Sequence, residues 1–70
     1  MLQLIYKHKT HPDYPYTIVQ SKPGEPYFFF AKNTLIGSIE KVAGEWEQVS
    51  GRQTLDEVVQ GMGKFIEKNS

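Results

Sequence analysis

The first two-thirds of the chain consists of short runs in which apolar and polar residues alternate. In the first run Leu2, Leu4 and Tyr6 are apolar, and the positions between them are polar apart from Ile5. A period of two is typical of a half-buried strand. Four later runs are rich in β-branched and aromatic residues and are bounded by turn-forming residues, as strands usually are. The sequence therefore predicts strands over about residues 2–9, 16–21, 26–31, 35–42 and 45–49.

Short connections join these runs and restrict how the strands can pair. Residues 22–25 are Lys-Pro-Gly-Glu and predict a type II turn, because Pro fixes its own φ and Gly accepts a positive φ. Gly44 is expected to supply the positive φ of a tight hairpin. Residues 10–15 contain two prolines and predict an irregular loop. Successive strands with short turns pair antiparallel, so we expect a four- or five-stranded meander.

The C-terminal segment changes to a period near 3.6 and predicts a helix over about residues 55–68. Thr54 and Glu57 fit a capping box, with Thr54 as the N-cap residue. The helix is expected to pack on one face of the sheet and to complete one α+β domain over residues 1–70. Its apolar stripe consists of Leu55, Val58, Val59, Met62, Phe65 and Ile66.

Gly61 and Gly63 interrupt this helix, where each glycine costs about 1 kcal/mol relative to alanine. The ordinary explanation is that the helix lies so close to the sheet that side chains there would clash. The alternative is that the two positions keep an edge bare for the backbone of a partner.

Composition excludes several kinds of chemistry. The chain lacks cysteine, which rules out disulfides, thiol catalysis and cysteine-based metal sites. Eight basic residues balance eight acidic ones, whereas dedicated nucleic-acid binders usually carry a basic excess. Neither a signal peptide nor an apolar run of membrane-spanning length is recognised. We therefore expect a soluble, cytoplasmic protein.

The fourth and fifth predicted strands carry the pattern I-E-K-x-x-G-x-W-x-Q-x-S-G over residues 39–51. This hairpin, followed by a helix, resembles small uncharacterised bacterial proteins, and the resemblance covers about residues 36–68. The family has no assigned activity, so it implies no functional residues. Physically, Gly44 is expected to turn the hairpin, Trp46 to fill the core under the helix, and Ser50-Gly51 to release the chain from the sheet.

Candidate catalytic and metal-binding groups are few. His8, His11 and Asp13 form a cluster of metal-ligand residue types, but a stable site needs three or four ligands with supporting contacts. We interpret them as surface groups and expect that folding needs no metal and no cofactor. The serines lack the context of an activated nucleophile, and no phosphate-binding glycine loop precedes a helix. The sequence is therefore not expected to encode an enzyme.

Aromatic residues give the clearest functional signal, because four of them are consecutive at residues 27–30. Pleating sends Phe28 and Phe30 to one face of the sheet and Tyr27 and Phe29 to the other. The helix can cover one face, so the second is expected to form an interface. The alternative is that Tyr14 and Pro15 fold over that face, or that the sheet curls to bury both faces. The interface residues expected are Tyr27, Phe29, Ile5 and Val19.

Three functions compete at this point. The first is a protein-interaction module, such as an adaptor, an inhibitor or a homodimer subunit, that uses the uncovered face or an edge strand. The second is binding of single-stranded nucleic acid, with aromatic rings stacking on bases and lysines holding phosphates. The third is an enzyme that uses His8, His11 and Asp13. The sequence favours the first, with another protein chain, possibly a second copy, as partner.

Overall fold

The computed structural model describes residues 1–69, except for the side chains of His11 and Pro12. Across these residues each strand pairs antiparallel with the next one in sequence, in the order β1-β2-β3-β4-β5. The predicted α+β meander with a C-terminal helix on one face is confirmed. The elements are β1 (Leu2–His8), β2 (His11–Gln20), β3 (Tyr27–Ala31), β4 (Thr34–Val42), β5 (Glu45–Gly51) and α1 (Asp56–Asn69).

The start of β2 differs from the sequence prediction. The stretch expected to be an irregular loop over residues 10–15 belongs to the strand from His11 onward. Tyr16 pairs with Ala31, the last residue of β3, so the earlier part of β2 extends beyond that neighbour. Prolines are tolerated there because no ladder hydrogen bond toward β3 is required of them.

The turn between β2 and β3 is the type II turn that its sequence predicts. The Glu25 N–H donates to the Lys22 carbonyl at 3.2 Å, and Gly24 has a φ of 90°. Gln20, at the end of β2, donates its side-chain N–H to the Glu25 carbonyl at 2.9 Å. This bond anchors the turn to the strand that leads into it.

Two-residue hairpins with positive φ at both positions connect β3 to β4 and β4 to β5. Lys32 and Asn33 have φ values of 51° and 64°, and Ala43 and Gly44 have values of 52° and 84°. These values match type I′ turns, whose twist suits the twist of the strands they join. The predicted role of Gly44 is confirmed, and Ala43 is left in a conformation that alanine disfavours.

Replacing Ala43 by asparagine is therefore expected to stabilise the protein. Asn tolerates the left-handed region, and Asn-Gly is the preferred pair for a type I′ turn. We expect Ala43→Asn to raise the free energy of unfolding by roughly 0.5–1 kcal/mol, measured by urea denaturation. Ala43→Val should lower it, because a β-branched residue fits a positive φ poorly. Equal stability of all three proteins would contradict the turn geometry.

The hydrophobic core lies between α1 and one face of the sheet. Ile66 belongs to the predicted apolar stripe and is buried, but two other members of that stripe differ from expectation. Leu55 precedes the first helical residue and is 63% exposed, and Phe65 is half-buried with its ring 5.2 Å from that of Tyr6. The buried core residues are Ile18, Phe29, Ile39, Trp46, Val58, Val59, Met62 and Ile66.

The predicted capping box is wrong. The Leu55 carbonyl accepts the first helical hydrogen bonds, from the N–H groups of Val58 and Val59. The Thr54 hydroxyl donates to the Arg52 carbonyl at 3.1 Å, and its N–H donates to the Gln48 side-chain oxygen at 2.9 Å. Thr54 therefore stabilises the connection between β5 and α1, one residue too early to cap the helix.

Close packing explains both helical glycines. A Cβ at Gly63 would overlap the ring of Trp46, and a Cβ at Gly61 would overlap the Tyr6 hydroxyl. The ordinary explanation of these glycines is thus confirmed. The same contact shows that Trp46 fills the core under the helix, as the hairpin pattern predicts.

Candidate functional site

The aromatic run in β3 sends its side chains to two faces with different surroundings. Phe29 is 0% exposed beneath α1, and Tyr27 lies on the same face with its ring 5.6 Å from that of Trp46. The prediction that Tyr27 and Phe29 border an interface is therefore wrong, because both belong to the covered face. Phe28 is 37% exposed, and it lies with Phe30 on the opposite side of the sheet.

That opposite side carries an apolar band across neighbouring strands. In one row Val19 pairs with Phe28, and in the next row Thr17 lies between Ile5 and Phe30. Phe30 in turn pairs with Leu35 of β4. We call this band the open face; its apolar residues are Ile5, Val19, Phe28, Phe30 and Leu35. The predicted placement of Ile5 and Val19 on the uncovered side agrees with this register.

The open face stays accessible within the described chain. Ile5 is 61% exposed and Leu35 is 50% exposed. Tyr14 and Pro15, the residues considered as a cover, are themselves exposed. The Tyr14 ring instead lies under the Lys32 ammonium group, which is 4.5 Å from the ring centroid. The alternative in which this segment shields the second face is therefore not what the structure shows.

Acidic residues border the open face at the β4–β5 hairpin. Glu40 pairs directly with Glu47, and Glu45 lies two residues before Glu47 on the same side of β5. Like charges directly opposite each other destabilise a sheet by a few tenths of a kcal/mol to about 1 kcal/mol. The hairpin thus carries a cluster of negative charge, and the repulsion between Glu40 and Glu47 weakens the pairing of its two strands.

The lysine of this hairpin is engaged on the helix side. Lys41 pairs with Trp46, which lies under α1, and its ammonium group donates to the Glu67 carboxylate. This hydrogen bond holds the pKa of Glu67 below its ordinary value. Lys41 is therefore directed away from the acidic residues on the other face of its hairpin.

Lysines lie at the other end of the sheet. Lys7 falls between Tyr6 and His8, both of which face α1, so it projects on the open side of β1. Lys9 follows the last residue of that strand, and Lys32 occupies the β3–β4 turn at the same end. Asp13, in the first part of β2, adds a negative charge at the same end of the sheet.

A second cluster lies between β1 and α1. A hydrogen bond of 2.7 Å joins the Tyr6 hydroxyl to His8 Nδ1, and the Glu57 carboxylate is 3.9 Å from His8 Nε2. Burial raises the pKa of Tyr6, and the charge of Glu57 raises it further. The tyrosine therefore keeps its proton at neutral pH. The cluster lines a cleft of about 390 Å³ together with Lys7, Lys9 and Lys64, and the contact between His8 and Glu57 joins β1 to the helix.

Of the predicted cluster of His8, His11 and Asp13, the structure describes the side chains of His8 and Asp13, and these two have different surroundings. His8 is buried and faces Tyr6 and Glu57, while Asp13 is exposed. The side chain of His11 lies outside the described residues. Among those that are described, no group of three or more His, Cys, Asp or Glu residues is arranged to hold a metal ion.

Sequence reasoning missed Phe28, Phe30 and Leu35 as members of the exposed band. The aromatic run itself carries no polar residue that marks which of its faces is covered. The signal lay in the neighbouring strands, because Ile5 shares a face of β1 with Gln3 and Lys7 and so belongs to the more polar face. Aligning that face with β3 through the hairpins identifies Phe28 and Phe30.

Within residues 1–69 no helix has both the length and the apolar character needed to cross a membrane. Comparisons of the chain with protein-family models, with curated proteins and with solved structures find no match.

Proposed function

We propose that this protein is an interaction module that binds another protein chain through the open face. The observation that carries the proposal is the set of exposed apolar side chains, Ile5, Phe28 and Leu35, in two neighbouring rows on the side of the sheet opposite α1. Monomeric soluble proteins rarely expose contiguous apolar patches larger than a few hundred Å², and patches of that size mark interaction sites.

Burial of apolar surface on this face can supply a driving force for binding. Burying roughly 300 Å² of apolar surface supplies about 7 kcal/mol before the costs of association are subtracted. Those costs consume an estimated 4–15 kcal/mol, so the patch supports reversible binding when polar contacts at its border contribute as well. Phe28 lies at its centre, between Val19 and Ser38, and is the residue whose loss should weaken binding most.

Protein fits this face better than single-stranded nucleic acid does. Exposed aromatic rings stack on bases in many single-strand binders, and Lys7 and Lys32 lie at one end of the sheet. However, Glu40, Glu45 and Glu47 border the same face at the other end and would repel a phosphate backbone that crosses it. Mixed charge around an apolar centre is instead typical of protein interfaces.

Site-specific cross-linking in cells tests the proposal. The photoreactive residue p-benzoylphenylalanine would replace Phe28 in one protein and Leu55 in a control. Leu55 is also exposed, but it lies on the connection to α1 and not on the open face. We expect illumination to yield discrete protein adducts from position 28, identified by mass spectrometry, and at most weak adducts from position 55.

Two outcomes would contradict the proposal. Absence of adducts at position 28 would show that the open face is not occupied by protein in the cell. Equal adducts from both positions would show that exposure, and not the open face, determines cross-linking. A melting curve of each protein confirms that the substitution leaves the fold intact.

A further inference from the structure

We infer that the occupant of the open face is a second copy of this chain, packed face to face with its strands nearly perpendicular to those of the first. This inference rests on the proposed interaction function and names its partner. It follows from the distribution of charge around the open face. One two-fold rotation places the acidic residues of each copy opposite the basic residues of the other.

The acidic and basic residues occupy diagonally opposite corners of the sheet. The acidic corner is Glu40, Glu45 and Glu47, at the hairpin between β4 and the edge strand β5. The basic corner is Lys7, on the open side at the end of the opposite edge strand β1, with Lys9 in the turn that follows; both lysines also border the cleft beside α1. The β4–β5 hairpin and the end of β1 lie at opposite ends of the sheet, because adjacent antiparallel connections alternate between its two ends.

One symmetry operation brings these corners together. A two-fold axis that lies between the two faces, along the other diagonal of the sheet, places the acidic corner of each copy on the basic corner of its partner. The apolar bands then meet at the centre. The contact is isologous, as in most homodimers, so both corner pairs form at once. The sheet is about as wide as it is long, so its diagonal makes an angle of about 45° with the strands. Rotation about this diagonal therefore places the strands of one copy at roughly 90° to those of the other, as in orthogonal sheet packing.

The like-charge pair on the hairpin gives this arrangement a second line of support. Glu40 and Glu47 oppose each other across β4 and β5, and Lys41 faces the helix side with Glu67. Within the described part of one copy, the lysines of the basic corner lie across the sheet from this pair. In the dimer, Lys7 and Lys9 of the partner lie over the two glutamates and offset their repulsion.

The size of the face limits the affinity. Five strands spaced about 4.8 Å apart and about seven residues long present roughly 450 Å² of projected area. A standard stable interface buries about 800 Å² per partner, so this dimer belongs to the small and reversible class. We expect a dissociation constant on the order of 10–100 µM, well within the range of sedimentation equilibrium.

Charge reversal at the two corners tests the arrangement. The first variant combines Glu45→Lys with Glu47→Lys, which makes both of its corners basic. The second combines Lys7→Glu with Lys9→Glu, which makes both of its corners acidic. Each variant alone is expected to dimerise at least roughly tenfold more weakly than the parent, because both corner contacts become repulsive. An equimolar mixture should form a heterodimer at least as tight as the parent dimer.

Controls separate this effect from general changes in charge and stability. Lys68→Glu adds negative charge on α1 outside the cleft that Lys64 shares with the basic corner, so it should leave the dissociation constant within about twofold. Melting curves establish that each protein is folded. Phe28→Asp, on the open face, should abolish dimerisation of both the parent and the mixed pair.

Each other outcome overturns the inference at a defined point. A dimer that is insensitive to both reversals would exclude the paired corners. A parent that stays monomeric up to 1 mM, with folding intact, would exclude the second copy. If cross-links from position 28 then lead to a different protein, the open face remains an interface with another occupant. If they are absent as well, the proposed function fails too.

Discussion

Replacing Phe29 by alanine is expected to lower the free energy of unfolding by about 3–5 kcal/mol. The ring is 0% exposed and lies at the centre of the sheet, between Ile18 of β2 and Gly37 of β4. Removing it leaves a cavity under α1 in addition to the lost transfer free energy. A domain of this size has a total stability of roughly 4–10 kcal/mol, so much of the protein should unfold at 37 °C. Circular dichroism with urea denaturation measures the change.

Phe28→Ala is the matched control, because it removes the same side chain from the adjacent position on the other face. Phe28 is 37% exposed, so the loss should be about 1 kcal/mol or less when the protein is studied as a monomer. Similar losses for the two variants would mean that the faces are not distinguished in the way the structure describes. A larger loss at Phe28 would reverse the assignment of the covered face.

The second large effect is expected at Gly63. Its Cβ would overlap the indole of Trp46, which is buried and cannot withdraw without disturbing the core. Alanine favours the helix by about 1 kcal/mol, but forcing the elements apart typically costs 1–3 kcal/mol and occasionally more. We expect Gly63→Ala to lower the free energy of unfolding by about 2 kcal/mol. Trp46 is the one tryptophan of the chain, so its fluorescence reports directly on the displaced contact.

Gly61→Ala provides the comparison two residues away in the same helix. A Cβ there meets the end of the Tyr6 side chain, which can swing aside more easily than a buried indole. The gain in helix propensity should nearly offset the cost, leaving a change within about 1 kcal/mol. The emission maximum of Trp46 should shift for Gly63→Ala and stay constant for Gly61→Ala. A stabilised Gly63→Ala protein would contradict the close approach of α1 to the sheet.

Local signals were sufficient to predict the elements and their order. Alternation identified β1, Pro-Gly identified the turn after β2, and the helical stripe identified α1. Each of these depends on residues close together in sequence, and meander topology requires pairing only between neighbours. The prolines before Tyr16 misled the prediction, because their tolerance depends on how far β3 extends alongside them.

The helix start and the interface depend on contacts that a single segment does not reveal. Thr54 satisfies the local pattern of an N-cap, yet Gln48, on β5, holds it in the preceding connection. Likewise, whether Phe28 or Phe29 is exposed depends on which face of the sheet α1 covers. Both errors have the same physical cause, since a contact with a neighbouring element overruled the local preference.

The position of α1 after all the strands has a consequence for the chain while it is being synthesised. At about 5–20 residues per second, roughly 2–7 s separate the addition of Phe29 from that of Ile66. Hairpins between neighbouring strands form in microseconds, so strands that have emerged can pair before α1 follows them. During that interval Ile18 and Phe29 are as accessible on one face as Phe28 and Ile5 are on the other. The nascent sheet is therefore apolar on both sides until the ribosome has delivered the helix.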